Sequence, residues 1–205
     1  MKYIVPDGCY FRSVAGVEFN AGEKLPENYR LKKGDVLLSQ DYRYDYLGRN
    51  EGGWHISVKD PRKEEYENIL SDIAGKPVIS MNQTFWGCAS LTTAPTIPNS
   101  VTSMYYTFSY CKSLTTAPVI PNSVTDMSST FQNCLSLKKP PVIPEGVVSM
   151  NFAFRDCSSL EEKPKLPSTV KNDYDVFSGT PFDNEQEISE SEIDASEPEQ
   201  DEEER

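Results

Sequence analysis

Four cysteines, Cys88, Cys111, Cys134 and Cys157, recur at a fixed step of 23 residues. Thiols bind soft metals and form disulfides, so a regular column of them invites both kinds of chemistry. The spacing argues against zinc, whose structural sites draw on cysteine pairs two to four residues apart. The one histidine, His55, lies outside the column. Stacked repeats can bring Cα atoms into disulfide range, but their side chains point in parallel, and cysteine is a common small buried residue. The column therefore reads as a buried ladder, without metal or cofactor. Ser90, Ser113, Ser136 and Ser159 follow each cysteine by two residues. One histidine cannot serve four nucleophiles, so this column is expected to satisfy backbone groups at a corner of the chain. No glycine-rich phosphate loop, paired-carboxylate motif or dinucleotide fingerprint is present. The chain reads as non-enzymatic.

The elements that must position these columns repeat with them. Met81, Met104, Met127 and Met150 keep the 23-residue step, as do Phe85, Phe108, Phe131, Phe154 and Phe177, and Leu91, Leu114, Leu137 and Leu160. A fixed period with apolar residues at fixed offsets is the signature of a solenoid. The units run 78–100, 101–123, 124–146 and 147–169, and a degenerate fifth begins at Val170. Met, Phe and Cys at i, i+4 and i+7 predict one face of two helical turns. Leu91 to Ile97 and its equivalents predict a short strand, and the prolines at 95 and 98 and their equivalents predict a corner. The expected fold class is α/β, a leucine-rich-repeat-like solenoid spanning residues 77–182, stabilised by stacking because no coil buries its own apolar face.

Residues 1–76 lack the repeat and predict a small α+β cap. Candidate strands are Tyr3 to Val5, Cys9 to Val14, Val17 to Phe19, Val36 to Tyr46 and Trp54 to Lys59. Tyr42, Tyr44 and Tyr46 share one strand face, and Trp54, Ile56 and Val58 share another, with His55 opposite. Asp60 as N-cap, Pro61 and an apolar stripe of Tyr66, Ile69, Leu70 and Ile73 predict a helix ended by Gly75. That stripe is expected to cover the open end of the first coil, as terminal units of repeat arrays must.

Residues 183–205 hold 12 acidic residues and one basic one, which leaves residues 1–182 at about −1 of the total of −12. The segment has too little apolar content to offset the entropy of ordering, so it predicts a disordered acidic tail. The nearly neutral body has no basic footprint for nucleic acid. No apolar run approaches transmembrane length, and the N-terminus carries no apolar core of a secretory signal. The default expectation is a cytoplasmic protein with no membrane insertion; no oligomeric state is specified.

The segments MNQTFWGCASLTTAPTIPNSVTSM (81–104) and MYYTFSYCKSLTTAPVIPNSVTDM (104–127) resemble the BspA-like leucine-rich repeats of bacterial surface proteins. They are also similar to the mycoplasma-type lipoprotein repeat. The resemblance implies adhesion or protein binding, at a cell surface or on a phage particle. Constant letters hold a fold, so a partner, protein or glycan, must be read by the letters that change. After each Leu these are Thr92 and Thr93, Thr115 and Thr116, Lys138 and Lys139, Glu161 and Glu162; after each Phe they include Trp86, Tyr110 and Arg155. These eleven are the candidate binding face, since Tyr, Trp and Arg anchor interfaces. The alternative is a structural or assembly component of a phage particle or cell envelope.

Overall fold

The computed structural model describes residues 3–48 and 50–183. The expected acidic tail, apart from Asp183, lies outside the described residues. Seven strands form one sheet: β1 (Tyr10–Arg12), β2 (Glu18–Asn20), β3 (Val36–Leu38), β4 (Tyr42–Tyr46), β5 (Trp54–Val58), β6 (Asp72–Ile73) and β7 (Lys76–Ser80), in the order β2-β1-β3-β4-β5-β7-β6. All neighbours are antiparallel except β5 and β7, which run parallel with Trp54 opposite Val78 and His55 opposite Ser80. The alternation read from the sequence holds. Tyr42, Tyr44, Tyr46, Trp54 and Ile56 are buried, and His55 sits half-buried on the other face.

Strand β7 carries the sheet across the 76/77 boundary. Ser80 bridges to Ser103 in parallel, Ser103 to Asp126, Asp126 to Ser149, and Ser149 to Asn172. The cap sheet therefore passes without a seam into a ladder one residue wide that climbs all five coils.

The helical component is corrected by the structure: among the described residues no α-helix forms, in the cap or in the coils. In the cap, the backbone groups a helix would pair internally are taken by distant partners. The Glu67 N–H donates to the Asp41 carboxylate, the Leu70 N–H to the Tyr44 hydroxyl, and the Glu67 carbonyl accepts the Tyr42 hydroxyl. The segment is an irregular strap, yet it reaches the expected place. Tyr66 packs on Phe85 at 5.2 Å, and Ile69, Leu70 and Ile73 join the core. The cap is thus a β unit, not an α+β one.

In the coils, Met, Phe and Cys face inward through turns rather than helix. The Thr84 N–H donates to the Met81 carbonyl and the Cys88 N–H to the Phe85 carbonyl, each closing a four-residue turn. The third residue of each turn is left-handed, as type II turns require. That gives two columns with positive φ, Gln83, Tyr106, Ser129, Phe152 and Asp175, and Gly87, Tyr110, Asn133, Asp156 and Gly179. The alternate N–H groups, of Met81, Gln83, Phe85 and Gly87, donate to Ser103, Tyr105, Thr107 and Ser109 of the next coil, and this pattern recurs at 104–110, 127–133 and 150–156. A two-turn helix would have paired only the later of these donors inside its own coil and left the first turn's without an acceptor. The strand expected at 91–97 contracts to single bridges, Thr93 to Thr116 to Lys139, because the prolines that follow cannot donate to a ladder.

Val, Met, Phe, Cys and Leu of the first four coils are buried in register. The phenylalanine rings stack nearly parallel from Phe85 to Phe177, with centroids 5.2 to 5.9 Å apart. Hydroxyls tie the coils together from inside. Thr107 donates to the Met81 carbonyl and Thr130 to the Met104 carbonyl of the coil before, while Ser100 and Ser123 close their own coils onto Val78 and Val101. Phe131 has a ring on each side, whereas Phe177 at the array's end is only half-buried. Phe131→Ala should therefore cost about 3–5 kcal/mol, the range for a fully buried phenylalanine, and Phe177→Ala clearly less. Urea unfolding of the two variants measures the difference.

Candidate binding surface

The eleven candidate residues fall into two separate stripes. Thr92, Thr93, Thr115, Thr116, Lys138, Lys139, Glu161 and Glu162 are all exposed and form one stripe along the coil edge. Backbone pairing sets their register: the Lys138 N–H donates to the Thr115 carbonyl and the Glu161 N–H to the Lys138 carbonyl. Thr92 is partly spent on the cap, donating from both N–H and hydroxyl to the Glu64 carbonyl. Lys138 pairs with Glu161 at 3.1 Å across neighbouring coils. Both ends are exposed, so the pair is a weak one that a partner can rearrange.

Trp86, Tyr110 and Arg155 belong to the second stripe, on the turns. Trp86 is 57% exposed, and Tyr105 and Tyr110 are each 39% exposed. Tyr105 and Tyr106 meet edge to face at 4.5 Å. Arg155 is already occupied. It lies over the Phe152 ring at 5.5 Å and within 3.7 Å of the Asp156 and Asp175 carboxylates. Sequence reasoning passed over Phe152 and Tyr174, whose rings meet at 5.3 Å. They occupy the columns of Tyr106 and Tyr105, and aligning every coil position by position would have found them. It also passed over Val119 and Val142, both nearly fully exposed between corner prolines; each sits one residue before a buried isoleucine, which the repeat pattern marks as core.

His55 is fixed by contacts on both sides of its strand. Its Nδ1 lies 3.1 Å from the Ser80 hydroxyl. Burial lowers its pKa, against the opposing pull of Asp45. That carboxylate, across from it on β4, is gripped by the Arg43 guanidinium at 2.7 to 3.0 Å.

The cysteines are free thiols and all five are buried. Cys111, Cys134 and Cys157 donate to the carbonyls of Phe85, Phe108 and Phe131 in the preceding coil, at 3.1 to 3.2 Å. The Tyr66 hydroxyl donates to Cys88 and so begins the column. The serines after the cysteines are exposed or half-buried, and the hydroxyls that bond backbone inside the array include those of Ser100, Ser123 and the threonine column. Burial pushes Cys157 from the ordinary 9.0 up to about 12, and drives Cys111 and Cys134 upward as well.

The array has close counterparts in known proteins. Residues 79–194 match six copies of the BspA type leucine rich repeat region. The fold is similar to that of a T. pallidum leucine-rich repeat protein, 25% identical with a TM-score of 0.57, covering 67% of this chain and 63% of that one. It is also similar to a leucine-rich repeat protein from Bacteroides ovatus, 20% identical with a TM-score of 0.50, covering 67% and 37%. The chain thus spans less than two thirds of either solved relative. No curated protein matches it.

The thiol column sets a pH dependence. Folding favours the protonated thiols, so their contribution is complete below about pH 9, where the unfolded chain's thiols also keep their protons. It falls as pH rises from 9 toward 12, because the unfolded chain releases protons that the native core retains. Denaturant midpoints measured from pH 7 to 11 should decline only above about pH 9. Ellman's reagent at pH 8 should label the native protein only at its rate of opening, and label all five thiols at once in denaturant.

Proposed function

The chain belongs to the BspA-type leucine-rich repeat family, and from that footing we propose that it is a non-catalytic recognition module. It binds a protein or glycan partner through the exposed, non-repeating positions of the array, in an adhesin-like or host-contact role. The family is associated with binding and surface roles and is typically non-catalytic.

The observation that carries the reading is a division of labour inside every coil. Val, Met, Phe, Cys and Leu are buried and constant, while the two residues after each Leu are exposed and change from Thr-Thr to Lys-Lys to Glu-Glu. Packing explains the first set and places no demand on the second. A backbone held in register by ladders loses little freedom on binding, which favours affinity. The stripe changes from neutral hydroxyls in coils one and two to paired opposite charges in coils three and four, a pattern that selects among partners by charge complementarity.

Reversing the charge of Lys138 and Lys139 together, as Lys138→Glu and Lys139→Glu, should weaken partner binding by about tenfold or more. Both side chains are exposed, so unfolding stability should stay within about 0.5 kcal/mol of the parent. Surface plasmon resonance of the full chain against the captured partner provides the comparison. Equal affinities would remove this stripe from the binding face.

A further inference from the structure

The turn stripe of the first three coils lies in the least charged part of the molecule, where residues 77–111 hold no acidic or basic residue at all. The segments 82–87, 105–110 and 128–133 read NQTFWG, YYTFSY and SSTFQN, without a single acidic or basic residue, in a chain that is 25% charged. Charge enters the turn segments themselves only in the fourth and fifth coils, at Arg155, Asp156 and Asp175. Uncharged does not mean apolar here, because the three segments are rich in hydroxyls and amides.

Two of those polar groups are left wanting. The Ser109 hydroxyl and the Gln132 side-chain oxygen are sealed from water and have no hydrogen-bond partner. They are one coil apart in the same column, and Ser109 is fully buried. Buried polar atoms are almost always paired, by protein, ordered water or a bound molecule. The aromatic residues around them are not core. Trp86, Tyr105 and Tyr110 are the exposed rings of this stripe.

Tyr110 is also conformationally costly. It is left-handed with φ 63°, in a column where the first and fifth coils place glycine and the third asparagine. A bulky aromatic at such a position is unfavourable for the fold. It is 39% exposed, and the array places aromatic residues at positive φ in the other turn column too, at Tyr106 and Phe152. The backbone beneath is rigid, since the Gly87 N–H donates to the Ser109 carbonyl and the Tyr110 N–H to the Gln132 carbonyl.

Rigid exposed rings, unpaired neutral polar atoms and no charge have one natural complement: a ligand with apolar C–H faces and many uncharged hydroxyls. Nucleic acid and acidic polysaccharide require clustered cations, and the charges flanking these turns are the single residues Lys112 and Asp126. We propose that this stripe is a subsite for a linear neutral glycan. Its sugar rings stack on Trp86 and Tyr110; reaching the sealed Gln132 and Ser109 oxygens requires the side chains over them to move aside on binding. The inference rests on the recognition reading above and specifies its ligand class.

The test uses the full chain on an array of neutral and acidic oligosaccharides, followed by fluorescence titration with the strongest neutral binder. Trp54 is fully buried, so Trp86 is the solvent-facing reporter of the chain's two tryptophans. The expected result is a saturable change in tryptophan emission and a preference for neutral over acidic sugars. Trp86→Ala and Tyr110→Gly should each weaken binding by about tenfold, with Trp86→Phe recovering part of the loss. Glycine suits the left-handed backbone at 110, so that variant keeps its fold, which its unfolding midpoint verifies. No binding of any neutral oligosaccharide at millimolar concentration would overturn the proposal, as would binding untouched by Trp86→Ala and Tyr110→Gly. A protein partner lost in the Lys138→Glu, Lys139→Glu variant but indifferent to Trp86→Ala would overturn the glycan subsite and leave the recognition reading standing.

Discussion

The structure depends on one constraint: in each of the first four coils, half of the turn N–H groups point out of the coil and must find a carbonyl in the next. The Met81, Gln83, Phe85 and Gly87 donors have no acceptor of their own, and the same is true 23, 46 and 69 residues later. An isolated coil would leave these donors to water and its phenylalanine to solvent. Stacked coils satisfy both at once, because the ladder that pairs the backbone also sets the ring spacing. The threonine and cysteine columns belong to the same arrangement. Each donates to the carbonyl 26 residues earlier, so a side chain in one coil closes an account opened in the coil before. Burial fixes the residue types, and the unpaired donors fix the period.

Seen this way, the N-terminal unit is an imitation of a preceding coil built from different parts. The Thr84 hydroxyl donates to the Ile56 carbonyl, as Thr107 does to Met81. Tyr66 supplies a ring against Phe85 and a hydroxyl against Cys88. Glu64 accepts the Thr92 N–H, which elsewhere in the array falls to the preceding coil. Strand β5 stands where a coil's ladder residue would be. The cap needs no repeat motif to do this, since what the first coil requires is a set of acceptors and an apolar cover at the right positions.

The sequence made the stacking legible and the local path much less so. Apolar letters at a fixed step report burial, and the expected Met, Phe, Cys and Leu columns are buried through the first four coils. The spacing of Met, Phe and Cys, however, is compatible with any path that returns a side chain to one side every three or four residues. Two turns with left-handed third residues do this as well as a helix does. The signal that separates them is present at Gly87, Asn133 and Gly179, residues at ease with positive φ, but Tyr110 and Asp156 in the same column obscure it. The cap strap misled for another reason: its caps and stripe suit a helix, and only tertiary acceptors on β4 and its flanking loop overrule them. Of the candidate face, the exposed edge stripe was readable because it interrupts a repeat. Its separation from the turn stripe was not, since that depends on the path between Phe and Leu.

The seam between successive coils is nearly the same wherever it is cut. A coil offers donors upward and acceptors downward at fixed positions, so a copied 23-residue segment inserted in frame would meet neighbours it already fits. Length in such an array is set by duplication alone, without any redesign of the interior. The surface positions are then free to drift in each new copy while the interior holds them in place. A lineage can in this way lengthen its reading surface first and diversify it afterwards.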